Sequence, residues 1–274
     1  MSSMRYAIAL LVAASLPVVA LGLPVAPQEG EGASNDRGAL VTDRPDATES
    51  SETVGQGLFQ LEGGYTFASF DEVDVHSVGE ILLRIGLLHE NVELRLGFNS
   101  LALQRGGESD ATGFGNFGIG AKIRVMSGGG VGHAKPTVAL LVGTSIPTGS
   151  DEIDSPNPWP EVRVAAAWDL TERLSFGTNL LWVSIKEDEL DERHTAWGLT
   201  AALGYGLSDR WGAYFEYFGA YPTGERDSEN YLNGGLTYLI NNDLQLDGRF
   251  GYGLNGRDDD FFVGFGTAVR WGGK

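Results

Sequence analysis

Residues 91–99 alternate strictly between apolar and polar side chains. The apolar positions are Val92, Leu94, Leu96 and Phe98, and the positions between them are Glu93, Arg95 and Gly97. Successive side chains of a β-strand point to opposite faces, so this stretch predicts a strand with one apolar face and one charged face. The pattern recurs about twelve times, with both charge signs on the polar face, as in barrels that are apolar toward lipid and polar toward a lumen. The sequence therefore predicts an all-β protein: a single transmembrane antiparallel up-and-down β-barrel.

The first 22 residues have the pattern of a signal peptide. Arg5 supplies a positive n-region, and residues 7–20 are apolar but short for a membrane span. Small residues follow, and the sequence Ala-Leu-Gly at 20–22 is an acceptable cleavage site, although Pro24 and Pro27 leave the exact position open. The alternative is a short anchor that stays attached. We expect export, with cleavage near residue 22.

Composition narrows the compartment and the partners. The formal net charge is −18 with a pI near 4.5, which disfavours nucleic acid as a partner. The chain contains no cysteine, so an exported protein of this sequence must hold together without disulfides. A closed barrel does so through its backbone hydrogen bonds. No cofactor or metal is expected, because acidic clusters such as 258–260 match no calcium-loop spacing.

The chain divides into three parts: a signal peptide at 1–22, a polar aperiodic segment at 23–56, and a barrel at 57–271. The even count of strands suits a single-chain bacterial barrel. Their connections are alternately tight and long, apart from the longer glycine-rich connection at 126–135, and the acidic residues lie mostly in the long ones. This pattern predicts periplasmic termini. Strands are predicted at 58–67, 75–85, 91–99, 116–125, 137–146, 161–168, 174–182, 197–205, 211–217, 232–240, 244–252 and 261–271.

Large aromatic residues cluster near the predicted strand ends. Amphipathic rings prefer the membrane–water interface, so they predict two girdles. The periplasmic girdle would contain Trp168, Tyr205, Trp211 and Trp271, and the outer girdle Trp159, Trp182 and Tyr217.

The motif Thr-Asp-Arg-Pro-Asp-Ala-Thr-Glu-Ser at 42–50 resembles the opening motif of a family of outer-membrane proteins assigned to the MetA pathway of phenol degradation. Residues 83–86 with 93–96, 113–122 and 145–149 fit the same resemblance. It implies an outer-membrane barrel that moves small solutes, aromatic ones among them. Many such barrels end on an aromatic residue that the barrel-assembly machinery reads. Here Trp271 is followed by three further residues.

Charged residues of both signs are predicted to face the lumen. A selectivity filter needs an excess of one sign, whereas near balance favours a network of neutralising pairs, so the network is the preferred interpretation. The six acids are Glu62, Glu80, Glu93, Glu161, Glu216 and Asp247, and the seven bases are Arg84, Arg95, Lys122, Arg124, Arg163, Arg249 and Arg270.

Four aromatic residues of the late strands are predicted to point into the lumen, and the polar N-terminal segment could also enter it. Tyr214, Phe218, Tyr231 and Phe262 could form a track for an aromatic solute, or they could fill space beside the many glycines. The polar N-terminal segment could enter the lumen as a plug, with Asp43, Arg44 and Asp46 pairing to wall charges. The alternative is a loose periplasmic tail.

The predicted function is a passive outer-membrane channel for small solutes, aromatic or hydrophobic ones among them, in a Gram-negative bacterium. The expected partners are outer-membrane lipid, the solute and the assembly machinery. A structural role and a lipid-modifying enzyme are the alternatives. His76 with Ser77 and His194 with Thr195 are neighbours along a strand, which places each pair on opposite faces, so no enzyme activity is predicted.

Overall fold

A single antiparallel sheet forms the body of the protein. The computed structural model describes residues 38–70, 73–98, 100–107, 110–187, 192–224, 227–255 and 260–273, so the predicted signal peptide lies outside the described residues. The described part contains fourteen strand segments. They are β1 Leu58–Phe70, β2 Val73–Gly86, β3 Val92–Phe98, β4 Leu101–Gly106, β5 Ala111–Phe114, β6 Phe117–Met126, β7 Thr137–Ile146, β8 Pro160–Asp169, β9 Leu174–Glu187, β10 Glu192–Gly206, β11 Trp211–Pro222, β12 Glu229–Asn241, β13 Leu244–Gly253 and β14 Phe261–Gly272.

Two of the crossings are interrupted, which reduces the fourteen segments to twelve. β3 and β4 pair end to end with the same neighbour, β2. β5 and β6 continue one another in the same way, since β5 pairs with β4 and β6 with β3. β1 pairs with both β2 and β14, so the sheet closes on itself. The architecture is a closed antiparallel β-barrel of twelve strands, as the sequence predicts.

The two faces of the barrel have opposite character. Large apolar side chains stand on the outside, where Leu180 is 49% and Phe265 62% exposed. Charged residues such as Arg84, Glu93 and Lys122 point inward and are completely buried. This inside-out distribution suits a hydrocarbon exterior and a polar interior, the arrangement of an outer-membrane barrel. In the described ranges there is no helix long and apolar enough to cross a bilayer.

The structure corrects the prediction for residues 100–115, which we expected to form a loop. They form the hairpin of β4 and β5, which lengthens the barrel wall at the end opposite the short turns. The interruption before β6 has a local cause. The Asn116 N–H donates to Asp154 Oδ2 at 2.7 Å, and the Asn116 side chain donates to the Ser155 carbonyl at 2.7 Å, so a loop holds this residue.

That loop, residues 147–155, folds back onto the inner face of β5. The Ser150 N–H donates to the Phe114 carbonyl at 2.8 Å, and Ile153 is 2% exposed. A Cβ atom at Gly149 would lie 2.6 Å from the Phe114 oxygen, so only glycine permits this approach. Burial raises the pKa of the Asp154 carboxyl above its ordinary value. The stretch 145–149, which fits the family resemblance, thus ends on a glycine that the contact between this loop and β5 requires.

Trp159 is a second correction, because we expected it in the outer aromatic girdle. Its ring packs against a buried cluster of Val183, Ile185 and Ala196 instead. These residues are at lumen-facing positions, since Val183 and Ala196 pair across β9 and β10 beside inward-facing Asn179 and Thr200. Trp159 precedes Pro160, the first residue of β8, and its backbone N–H donates to Ser145 Oγ at 3.0 Å.

The outward face gives the first prediction. Leu199 lies opposite Leu180 near the middle of β9 and β10, and both are exposed on the outside. Leu199→Arg should lower the free energy of unfolding in phospholipid vesicles by about 2–4 kcal/mol, because it places a charge in hydrocarbon. Urea unfolding followed by tryptophan fluorescence measures the change.

Leu88→Arg is the matched control, since Leu88 is 93% exposed in the turn between β2 and β3. It should leave the unfolding curve unchanged. Equal losses in the two variants would contradict the assignment of the outer face to lipid.

Candidate functional site

The interior of the barrel contains residues 38–54, which we call the N-terminal segment. The segment enters beside the turn between β12 and β13, where the Leu40 N–H donates to the Asn242 carbonyl at 2.8 Å. It leaves beside the first residues of β3, where the Val54 N–H donates to Glu93 Oε2 at 3.0 Å. Both points lie at the end of the barrel that carries the short turns. The segment therefore enters and leaves by the same end and turns around inside.

Asp43 is the most heavily contacted residue of the segment. Its backbone N–H donates to both oxygens of Glu62, at 3.0 and 2.9 Å. Its carboxylate accepts from Lys122 Nζ at 2.9 Å and from the Arg95 guanidinium. A third cation, Arg84, lies 3.3 Å away. The carboxylate is fully buried, and these cations offset its desolvation.

Arg44 reaches the opposite charges of the wall. Its Nη1 donates to Glu80 Oε2 at 2.7 Å, and its Nη2 lies 3.5 Å from Asp247 Oδ1. The guanidinium lies against Gly64 and Gly266, where any Cβ atom would collide with it. These two glycines leave the space that the arginine occupies.

Glu80 owes its direction to a β-bulge. The register between β1 and β2 shifts between Glu62 and Gly64, and Glu80 itself has a φ of +43°. Bulges and left-handed residues re-aim a side chain at the cost of backbone strain. Here the bulge and the positive φ turn the Glu80 carboxylate toward Arg44.

The turn of the segment contacts the far wall. The Ala47 N–H donates to Glu216 Oε2 at 2.7 Å, and the Thr48 hydroxyl donates to Glu216 Oε1 at 2.6 Å. Glu49 exchanges two hydrogen bonds with the side chain of Asn179: its N–H donates at 2.6 Å and its carbonyl accepts at 3.0 Å. The segment is thus bound to β9 and β11 as well as to β1, β2 and β3.

Two further acids of the segment were not among the predicted site residues. Glu49 Oε2 lies 2.8 Å from Arg95, and Glu49 Oε1 lies 3.3 Å from Arg163. Glu52 Oε2 lies 2.6 Å from Arg124. Both residues lie in or next to the motif at 42–50, so the sequence did point to this region. The segment lacks the alternation of a strand, however, and alternation is what would have indicated where each side chain points.

The predicted charges all lie on lumen-facing positions, but they do not form one uniform network. Arg84 donates from Nε and Nη2 to the two oxygens of Glu93, at 2.8 and 2.9 Å. Arg249 donates to the Pro45 carbonyl at 3.1 Å, and Arg270 pairs with Asp243 at 2.8 Å at the turn end of the barrel. Glu161 shares a face of β8 with Arg163 and is partly exposed.

Three of the four predicted aromatic residues are in contact. Phe218 stacks on Tyr231 with ring centroids 4.9 Å apart, and Phe262 lies 6.2 Å from Phe218. Ala47 and Phe70 pack against this cluster. The alternation of the sequence did not predict these two contacts. Tyr214 lies apart, with its ring across Gly235. Phe218, Tyr231 and Phe262 are named the aromatic cluster below.

The residues considered for catalysis do not pair. His76 Nδ1 lies 2.7 Å from the Tyr65 hydroxyl on the outer face, while Ser77 is 3% exposed on the lumen side. His194 is opposite Ile185 on the lumen side, so Thr195 points outward. Neither neighbouring pair can act as nucleophile and base.

The segment contacts yield a prediction on its seating. Arg44→Met would leave the buried Glu80 and Asp247 carboxylates facing an apolar side chain, which costs about 3–5 kcal/mol. Amide hydrogen exchange at Asp43 and Ala47, whose N–H groups donate to the wall, should accelerate accordingly.

Arg105→Met is the matched control. The Arg105–Asp110 pair is exposed, and its charged atoms are 3.7 Å apart. Its loss should therefore change the free energy of opening derived from these exchange rates by less than about 1 kcal/mol. Unchanged exchange in Arg44→Met would contradict the importance of this ion pair.

Solved structures share this architecture. An outer membrane channel from Pseudomonas putida F1 superposes with a TM-score of 0.65 at 12% identity, over 81% of this chain and 98% of that one. The NanC porin gives a TM-score of 0.51 at 14% identity, over 77% and 98%. The KdgM porin gives 0.51 at 10% identity, over the same shares. At these identities the likeness concerns the fold. No curated protein matches the chain.

The family described as putative MetA-pathway of phenol degradation matches residues 42–271, from the Asp-Arg-Pro-Asp motif of the N-terminal segment to the end of β14. The match thus covers most of the N-terminal segment and nearly all of the barrel. The chain therefore belongs to this family of outer-membrane β-barrels.

Proposed function

We propose that the protein is a passive outer-membrane channel for small solutes, aromatic ones among them, and that the N-terminal segment closes its lumen. Export would proceed with removal of a signal peptide near residue 22. The observation that carries the proposal is the seating of residues 38–54 inside the barrel, with direct contacts to β1, β2, β3, β6, β9 and β11.

Barrel width supports this proposal. An eight-stranded barrel is just wide enough for its own side chains to fill it, and the diameter grows with strand number. A barrel of twelve strands has a wider interior, and many of its inward positions here are glycine or alanine, such as Gly64, Ala202 and Gly266. Such a wall leaves room for either water or a polypeptide segment.

The kind of contact also favours a removable segment. The segment is held by ion pairs and hydrogen bonds, which exchange for water and salt at small net free energy, rather than by a large apolar interface. Its apolar contacts in the lumen include Leu40, which is 2% exposed, and Ala47 against the aromatic cluster.

The aromatic cluster supports the choice of solute. Phe218, Tyr231 and Phe262 are buried, face the lumen and pack against Ala47 of the segment. Aromatic rings in offset contact accept a further ring with a gain of about 0.5–1.5 kcal/mol beyond area burial. Movement of the segment would uncover this apolar patch.

Deletion of residues 38–50 tests the closure. Conductance of single channels in planar bilayers should rise several-fold, because the deleted residues make the contacts to β1, β6 and β11 that hold the segment across the lumen. A deletion of the same length at 24–36, outside the described residues, serves as the control and should leave conductance unchanged. No rise in the first variant, with heat-modifiable migration showing a folded barrel, would mean that the segment does not close the lumen.

Substitutions in the aromatic cluster test the solute. Phe218→Ala and Tyr231→Ala should each slow the uptake of benzyl alcohol into proteoliposomes several-fold while leaving glycerol uptake unchanged. Phe265→Ala removes a ring of the same size from the lipid face, where Phe265 is 62% exposed, and should change neither rate. Equal rates in all variants would remove the aromatic cluster from the transport path.

A further inference from the structure

Three wall cations take much of their charge compensation from the N-terminal segment rather than from the wall. They are Arg95 of β3, Lys122 of β6 and Arg163 of β8, named the cationic wall site below. The Lys122 ammonium is fully buried and donates to Asp43 Oδ1 at 2.9 Å, Asp43 Oδ2 at 3.0 Å, Ser50 Oγ at 3.2 Å and the Glu52 carbonyl at 3.3 Å. All four of these acceptor atoms belong to the segment.

The other two cations show the same dependence. Arg163 lies 3.3 Å from Glu49 Oε1, and Arg95 lies 2.8 Å from Glu49 Oε2 and in contact with Asp43. The wall carboxylate within reach of Arg95 is Glu93 at 3.0 Å, and Glu93 is already engaged by two hydrogen bonds from Arg84. Near balance of charge over the whole lumen thus conceals a local surplus of positive charge on β3, β6 and β8.

We propose that the cationic wall site is a binding site for a small organic carboxylate, and that the Asp43 and Glu49 side chains occupy it in the closed channel in place of that solute. Departure of the segment leaves these three cations side by side without its carboxylates, and a carboxylate solute compensates them better than water does. An organic carboxylate supplies the same two oxygens, which can bridge Arg95 and Arg163 as the Glu49 carboxylate does.

Competition between solute and segment follows from this arrangement. A ligand that binds the vacated wall and not the occupied one shifts the equilibrium toward the open state in proportion to its concentration over its dissociation constant. Carboxylate solutes would therefore open their own path. This inference rests on the proposed channel function and adds a solute class and an opening mechanism to it.

The test uses a thiol that reports displacement of the segment without requiring conduction. The chain has no cysteine, and Ser51 lies in the segment and is 2% exposed, so Ser51→Cys introduces a single buried thiol. Its rate of modification by a membrane-impermeant maleimide is measured in three solutions of the same ionic strength. They contain sodium benzoate, benzamide with sodium chloride, and sodium chloride alone. Benzoate should accelerate modification at least tenfold, and the other two should not.

Two substitutions in the Ser51→Cys background localise the effect. Lys122→Gln should abolish the response to benzoate, because the site loses its central cation. Arg249→Gln also removes a buried cation that donates to the segment, at the Pro45 carbonyl, but it lies outside the cationic wall site and should keep the response. Glu49→Gln weakens the competitor alone, so half-maximal modification should need about tenfold less benzoate.

Each result decides the proposal. Equal acceleration by benzoate and benzamide, acceleration by sodium chloride alone, or loss of the response in Arg249→Gln as in Lys122→Gln would overturn it. Leu88→Cys, in an exposed turn, corrects for any direct effect of benzoate on the reagent. Benzoate-dependent exposure of the thiol introduced by Ser51→Cys, without conductance in bilayers, would leave the carboxylate site standing while removing the channel function.

Discussion

Backbone hydrogen bonding in a medium without water is the constraint from which the rest of the structure follows. Hydrocarbon offers no partner to an N–H or a carbonyl group, so the sheet must have no open edge. Pairing of β1 with β14, from Leu58 with Gly272 to Ser69 with Phe261, removes the last edge. Once the sheet is closed, strand number sets the width, and period-two alternation assigns each side chain to lipid or lumen. Chemistry then resides on the inner positions.

A wide polar interior raises the problem of buried charge. Arg84 and Glu93 solve part of it within the wall, since Arg84 donates to both carboxylate oxygens of Glu93. Lys122 does not, and its compensation comes from Asp43 of the N-terminal segment. Intact buried pairs add little net stability, yet loss of one partner is costly. The wall and the segment are therefore mutually dependent, and the ion pairs determine where the segment sits more than how stable the barrel is.

Sequence alone predicted the parts of this structure that depend on local alternation. Leu94 outward and Lys122 inward follow from period two, because the sheet allows each residue only two directions. The predictions for residues 100–115 and for Trp159 were wrong, because both depend on contacts distant in sequence. Residues 147–155 dock against β5, and Trp159 packs against residues of β9 and β10. The direction of Glu49 had no periodic signal. Its partners, Arg95 and Arg163, lie on different strands that only the closed barrel brings together.

The connection between the segment and the barrel limits how the lumen can open. Gly55 and Gly57, with φ of +86° and +73°, turn the chain from the segment into β1. The Gly57 N–H donates to the Gly86 carbonyl at 3.0 Å, and the Gly273 N–H donates to the Gly57 carbonyl at 3.0 Å, so this junction is fixed to the wall. The segment cannot swing out as a rigid body about its own end. It must detach from Val54 backwards or from Leu40 forwards, and in either case it stays tethered at high effective concentration. Covalent attachment therefore favours the closed state, and a solute that displaces the segment must compete against this effective concentration.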